Sequence, residues 1–319
     1  MIYEIDRDIY RIVVPLAGSP LGTLNAYFFR GGEEDFLMDT GFDTPACEES
    51  LRASLRALDY VPERLNIINT HLHMDHTGLN HRFVGERRKI YIGSVDRDRM
   101  LGYLRQEASR RGERDRREGA GENAFRFQAR FGPERDGAKY AGLADGEALD
   151  VGACVLRTVF VPGHTPGNVM FFVPGKKIMF TGDHVLFDIT PNITAWPDFD
   201  NALQRYLDSL ESAKRFDVAL ALPGHHSPGD YRARIDQILL HHARRLDEIV
   251  EIVGNAPGLT ADEITRRMHW SIHLDENGDF PPAQMWFAAG ECMSHLDKLV
   301  ADGRVRRIDG EPYITYRLP

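Results

Sequence analysis

The chain has 319 residues, 42% of them hydrophobic and 27% charged, and a formal net charge of −9. That length suffices for one large domain and a small one, and no run approaches the roughly 18 apolar residues of a membrane-spanning helix. The acidic balance argues against a protein that coats nucleic acid or anionic lipid by overall attraction, while leaving room for a local basic patch.

In chain order, Met1-Ile2-Tyr3-Glu4-Ile5-Asp6-Arg7 has neither the basic nor the apolar segment of a secretory signal. Cys47, Cys154 and Cys292 are odd in number and far apart. Both features suit a reducing cytoplasm. Residues 9–40 read as β: Ile9–Val14, Leu24–Phe29, a Gly31-Gly32 turn and Phe36–Asp39. Asp39 closes the last run and reads either as a turn or helix-start residue or as a support for ligands that come later. Thr44 to Leu58 has helical spacing, with Thr44 as N-cap and Pro45 in the first position.

Leu65-Asn66-Ile67-Ile68 is a short β-branched run expected as a buried strand. It leads into Asn69-Thr70-His71-Leu72-His73-Met74-Asp75-His76-Thr77-Gly78. If the strand runs on, alternation turns His71 and His73 to one side, with Asp75 and His76 on the following turn. Three imidazoles and a carboxylate within this stretch make a poor core and a good divalent-metal site, the alternative being a surface loop that happens to be rich in His.

Residues 82–150 carry Arg105, Arg110, Arg111, Arg114, Arg116 and Arg117, interrupted by Gly112, Gly119 and Gly121 and followed by Phe125, Phe127 and Phe131. They read as a helical insertion at about 95–150 that is a solvated element, a dimer contact, or a cap whose Arg110, Arg111, Arg114 and Arg117 grip an anionic substrate tail. Three strand-like runs then end in Gly turns bearing His or Asp: Gly163-His164-Thr165-Pro166-Gly167, Gly182-Asp183-His184 and Gly224-His225-His226. Loops at strand ends are where metal and catalytic groups collect. Val169–Val173 and Ile178–Phe180 form a hairpin, and 199–215 and 231–253 read as helices.

A His-x-His-x-Asp-His cluster followed by a lone His, a lone Asp and a last His resembles the metallo-β-lactamase-fold hydrolase superfamily. The resemblance implies an α/β fold, an αββα sandwich, over residues 1–254. It implies two metals, zinc or else iron or manganese: His71, His73 and His164 for one, Asp75, His76 and His225 for the other, and Asp183 bridging. Asp75 would also be catalytic, orienting a dinuclear-metal-bound hydroxide and passing its proton to the leaving group. In this superfamily an Asp at the place of Asp39 supports the ligands. His184 is expected to face the substrate, and His226 to be exposed or to support a ligand.

Asn255-Ala256-Pro257-Gly258 breaks the chain. Beyond it come a helix opened by a Thr260/Glu263 capping box, a helix at 282–302, and two short strands about Asp309-Gly310. This tail at 255–319 is similar to a winged helix, and with the long helix before it resembles the lactamase-β-like 2 branch of the superfamily. The expected activity is hydrolysis of a small, anionic thioester, ester or lactone, acyl-CoA-like in kind, with no membrane partner. An endoribonuclease acting on single-stranded RNA, for which nucleic acid would be the partner, is the alternative. A binding module with a residual site is a third reading, disfavoured by the complete ligand set. The tail reads first as a packing or homodimer element.

Overall fold

The computed structural model describes residues 1–103, 117, 139–271 and 281–319. Of these, residues 1–102, 139–191 and 209–235 form one compact unit. A second unit takes in 192–208, 236–271 and 281–319, with 103 and 117. The division between the two units falls inside the long helix at 231–255, most of which groups with the tail.

The first unit is built on two sheets. One runs in sequence order, β1 (Ile2–Asp6), β2 (Ile9–Pro15), β3 (Thr23–Phe29), β4 (Asp35–Met38), β5 (Leu65–Ile68), β6 (Ile90–Gly93) and β7 (Tyr140–Leu143). Its pairs are antiparallel as far as β4 and parallel from β4 to β7. The other comprises β8 (Ala148–Asp150), β9 (Val155–Phe160), β10 (Val169–Val173), β11 (Ile178–Gly182) and β12 (Leu220–Pro223), with β11 and β12 parallel. A shared core of Tyr27, Phe29, Met38, Ile68, Leu156, Val169, Phe171 and Phe180 joins the two faces. Phe180 stands edge-on to Tyr27 and Phe29, with centroids 5.0 and 5.3 Å away. At about 1.5–3 kcal/mol per fully buried large side chain, this layer holds the sheets face to face.

Helix α1 (Pro45–Ala57) starts where capping chemistry says it should, with Thr44 accepting from the Cys47 amide, and packs on β2. The short helices α2 (Met74–Thr77) and α3 (Asn80–Phe83) follow β5, and α4 (Ser94–Asp98) packs on β6 and β7. β3 is buried along nearly its whole length, as a strand covered on both faces must be.

Three elements differ from expectation. β1 lies in the opening residues, where no strand was read. β7 and β8 occupy 140–150, so helical structure does not continue through the end of the expected insertion. Tyr140-Ala141-Gly142-Leu143 has little strand propensity of its own, and its pairing with β6 decides its conformation. Finally, β5 stops at Ile68 instead of carrying the histidines.

The remaining helices are α5 (Ala202–Ala213), α6 (Tyr231–Asn255), α7 (Ala261–Arg267) and α8 (Pro282–Ala301). In the second unit, α7 opens with the Thr260/Glu263 capping box. β13 (Arg306–Asp309) and β14 (Ile314–Arg317) form an antiparallel hairpin, and Leu259 bridges to Tyr316. The described residues contain no helix long and apolar enough to cross a membrane.

Candidate metal centre

Chain direction concentrates the polar groups. β4, β5 and β6 are parallel, so their C-terminal ends open on one edge of the first sheet. In the second sheet β9, β11 and β12 likewise point one way, β9 through two antiparallel pairings. Asp39 follows β4, the His71–His76 stretch follows β5, His164 follows β9, Asp183 follows β11 and His225 follows β12. All seven expected ligands come together in two sets, His71, His73 and His164, and Asp75, His76, Asp183 and His225; within each, one donor atom per residue lies within 4.8 Å of the others.

His71 and His73 converge from a loop, not from strand alternation. Beyond Ile68 the Asp39 carboxylate captures the chain, accepting from the Thr70 amide at 3.0 Å and the Thr70 hydroxyl at 2.9 Å. The loop turns the His71 Nε2 lone pair to within 3.0 Å of His73 Nδ1. Asp75 and His76 then sit on α2. Asp39 itself has a left-handed backbone, φ 59°, and its Oδ2 lies 2.8 Å from His76 Nδ1. It is thus a hydrogen-bond partner of His76 and not merely a turn residue. That contact commits His76 Nε2 to the site.

His225 is held in the same manner by a different partner. Its Nδ1 donates to the Thr23 carbonyl at 2.7 Å, leaving Nε2 facing the carboxylates. The Asn25 amide donates to the Pro223 and His226 carbonyls, and the Tyr27 hydroxyl to Pro223, so β3 clamps the loop after β12. Gly224 permits the approach, since a Cβ there would stand 2.5 Å from Asp183 Oδ1.

Asp183 reaches both sets. It lies 3.3 Å from His225 Nε2, 3.5 Å from His76 Nε2 and 3.9 Å from His164 Nε2. Asp75 Oδ2 is 3.3 Å from His225 Nε2. Burial would raise both carboxyls, but His76 and His225 outweigh it: Asp75 falls to about 2 and Asp183 well below its ordinary range. Burial would also lower His76 and His225, yet the carboxylates of Asp39, Asp183 and Asp75 lift His76 well up, and Asp183 and Asp75 lift His225 to about 10. In the other set burial dominates, helped by neighbouring imidazoles. It drops His73 to about 3 and His71 well below its usual value.

The donors fit divalent cations. Burial keeps the His71 and His73 imidazoles neutral, and the second set draws positive charge strongly enough to keep protons on its histidines. Asp183 Oδ1 is buried, makes no hydrogen bond of good geometry and faces His76 Nε2 at 3.5 Å, a position a cation could share.

His184 is completely buried in the turn after β11, and burial with the nearby His164 pushes it down to about 3. His226 adopts a left-handed conformation, φ 60°, beside its ligand neighbour. Arg110, Arg111 and Arg114 lie outside the described residues, whereas the Arg117 guanidinium is 3.8 Å from the Asp309 carboxylate. Asp96, Asn25 and Thr70 were missed from sequence. Asp96 had a signal: like Asp39, it stands just past a strand of the parallel run.

A model of the metallo-beta-lactamase superfamily matches residues 20–225. An atrochrysone carboxyl ACP thioesterase of Aspergillus fumigatus is 27% identical over 227 residues, 70% of this chain and 58% of that one. The lactamase-like protein nscB of the same fungus is 26% identical over 53% of this chain and 52% of its own. The chain thus spans little more than half the length of these two relatives. A beta-lactamase-like protein 2 homolog of Caenorhabditis elegans is 23% identical, over 78% of this chain and 73% of its own. Among solved structures, a metallo-beta-lactamase family protein from Thermus thermophilus shares the fold with a TM-score of 0.82 at 24% identity, covering 99% of this chain and 100% of that one.

Proposed function

This chain belongs to the metallo-β-lactamase superfamily, and from that premise we propose that it is a metal-dependent hydrolase of a small-molecule thioester, with esters and lactones as related substrates. The observation that carries the reading is the complete seven-residue ligand set, converged and, apart from the half-buried His73, buried. The thioester preference draws support from the similarity to a protein named as a thioesterase, over about 70% of this chain.

His71, His73 and His164 would hold one cation and Asp75, His76 and His225 the other, with Asp183 between them. Zinc suits these donors, as do iron and manganese. Bound there, a divalent pair supplies Lewis acidity and lowers the pKa of a water from about 15.7 to about 7. The chain contributes orientation and proton handling. Asp75, kept ionised by His76 and His225, accepts the proton of the attacking water at a carboxylate oxygen and returns it to the departing sulfur or oxygen. Thr23 and Asp39 hold His225 and His76 against rotation while this happens.

An anionic tail on the substrate, such as that of an acyl-CoA, is the assigned partner of Arg110, Arg111, Arg114 and Arg117. The helix–helix–hairpin order of residues 261–317, with the Leu259–Tyr316 bridge as a third strand position, supports reading the tail as a winged helix. The test is a hydrolysis panel of an acyl-CoA, a lactone, a phosphodiester and single-stranded RNA with zinc-loaded protein. Thioester turnover should lead the panel. RNA cleavage with an inert thioester would overturn the proposal.

A further inference from the structure

Nothing local in the chain fixes His164 relative to His71 and His73, which arrive on a separate loop. One tie between the loops is backbone: the Val169 amide donates to the Thr70 carbonyl at 2.9 Å, on the strand side. The tie on the ligand side is a single buried carboxylate. Asp96, fully buried in α4, accepts from the Leu72 amide at 3.0 Å and the Thr165 hydroxyl at 2.6 Å through Oδ2, and from the Gly167 amide at 2.6 Å through Oδ1. Leu72 separates His71 from His73, and Thr165 follows His164 directly. One side chain thus reaches the immediate neighbours of all three histidines without touching an imidazole.

The packing shows how tightly this junction is made. A Cβ on Gly167 would meet the Asp96 amide nitrogen at 2.2 Å, and one on Gly93 would meet the Gly167 carbonyl oxygen at 2.2 Å. Backbone therefore lies on backbone from the end of β6 to the turn after His164, and the carboxylate is locked between them. Burial pushes Asp96 up, while the hydrogen bonds from Thr165, Gly167 and Leu72 and the charge of Arg99 draw it back, leaving it at about 6. The other ligand set has its own supports, Asp39 for His76 and Thr23 for His225, and none of the hydrogen bonds to the Asp96 carboxylate comes from that set.

We propose that Asp96 is a positioning residue that sets the spacing of the His71, His73 and His164 donors and so controls metal affinity at that set selectively. This rests on the reading that the set binds a metal. A hydrogen-bonded group behind metal ligands is generally worth about 10–100-fold in affinity. Asp96→Asn keeps the shape and the Gly167 bond, and the Thr165 hydroxyl can turn to accept from the new amide, but that amide N–H is set against the Leu72 amide N–H, so the loop carrying His71 and His73 is released.

The experiment titrates metal-free parent and variant with Co2+ and Zn2+ in competition with a chromophoric chelator, and records the visible spectrum of the cobalt form. The parent should bind two equivalents. A parent that takes up fewer overturns the two-metal reading itself, independently of Asp96. With two in the parent, Asp96→Asn should weaken one equivalent by about 10–100-fold, alter the cobalt bands of that equivalent and leave the other at parental affinity. Two unchanged equivalents with an unchanged spectrum, or equal weakening of both, would overturn the positioning role. Should Asp96→Asn fail to fold, Thr165→Val removes only the hydroxyl bond and should weaken the same equivalent several-fold; parental binding there would equally refute the proposal.

Discussion

The two ligand sets lie side by side yet are electrostatic opposites. His71, His73 and His164 form an all-imidazole set in which burial keeps His71 and His73 neutral, so their lone pairs are available at any ordinary pH. Asp75, His76, Asp183 and His225 mix two carboxylates with two imidazoles, and without a cation the carboxylates hold protons on both histidines. On the proposed reading, a cation would meet no proton on His71 or His73 and would have to displace protons from His76 and His225. The difference teaches that burial alone does not decide whether a histidine can ligate. The charge facing it does.

The strongest way to break the comparison is to remove the residue common to both sets. Asp183→Asn should abolish thioester turnover and lower metal content at both positions, as read by elemental analysis. Loss confined to one equivalent would show that Asp183 serves only the set that contains it.

Asp75→Asn should follow, with turnover reduced by about two orders of magnitude or more. The deficit should be larger for an ester than for a matched thioester, because a thiol of pKa ~8.5 leaves as its anion more readily than an alcohol and needs less proton delivery. Equal losses would leave Asp75 as a ligand and move proton transfer elsewhere.

The comparison is sharpened by counting protons. Loading the second set at pH 8 should release roughly two protons from His76 and His225, besides about one from the metal-bound water, whereas His71 and His73 should release close to none, measured by calorimetry in buffers of different ionisation enthalpy. The sign carries into stability. The His225 imidazole of metal-free protein has a folded pKa raised to about 10, so its contribution is complete below about 6.5 and disappears as pH rises through about 10. Stripped protein should therefore lose melting temperature between pH 7 and 10.5, and loaded protein should hold it. With free metal at about 100 times its Kd, each bound equivalent adds about 2.7 kcal/mol, or roughly 4 °C for a chain of this length. Parallel pH curves for the two forms would contradict the charge assignment.

The smallest effect concerns the arginines of the insertion. Replacing Arg110, Arg111, Arg114 and Arg117 by Ala should raise KM for an anionic substrate severalfold and leave short neutral esters unaffected. The Arg117–Asp309 pair contributes little to stability, since both side chains are substantially exposed and such pairs are worth about 0–1 kcal/mol. If RNA affinity in the parent is tight and its steep salt dependence collapses in the variant, the arginines grip phosphates and the small-molecule reading fails.

Much of the centre was legible because its ligands announce themselves. The cluster from His71 to His76 is compact, and His164, Asp183 and His225 each follow an apolar run and a glycine. The helices were legible where capping chemistry is local, as at Thr44 and Thr260. What escaped depends on partners remote in sequence. Nothing near Asp96 tells of Leu72 or Gly167, and nothing near Asn25 tells of the loop after β12. The strand expected to continue through His71 ends early because Asp39, some thirty residues upstream, takes the Thr70 amide. β7 was hidden by weak propensity and appears only when β6 is there to pair with it.

The grip of β3 on the loop carrying His225 has a consequence for biosynthesis. The strand at Thr23–Phe29 leaves the ribosome about two hundred residues before the segment it must hold, Pro223 to His226. Until then β3 has an unfilled edge of polar groups, and the carboxylates at Asp75 and Asp183 face only part of their final company. The all-imidazole set is complete in sequence once residue 164 is made, whereas the mixed set waits for 225. The order of translation is thus also an order in which the two sets are completed, the all-imidazole one first and the mixed one last, closed by a strand made about two hundred residues before it.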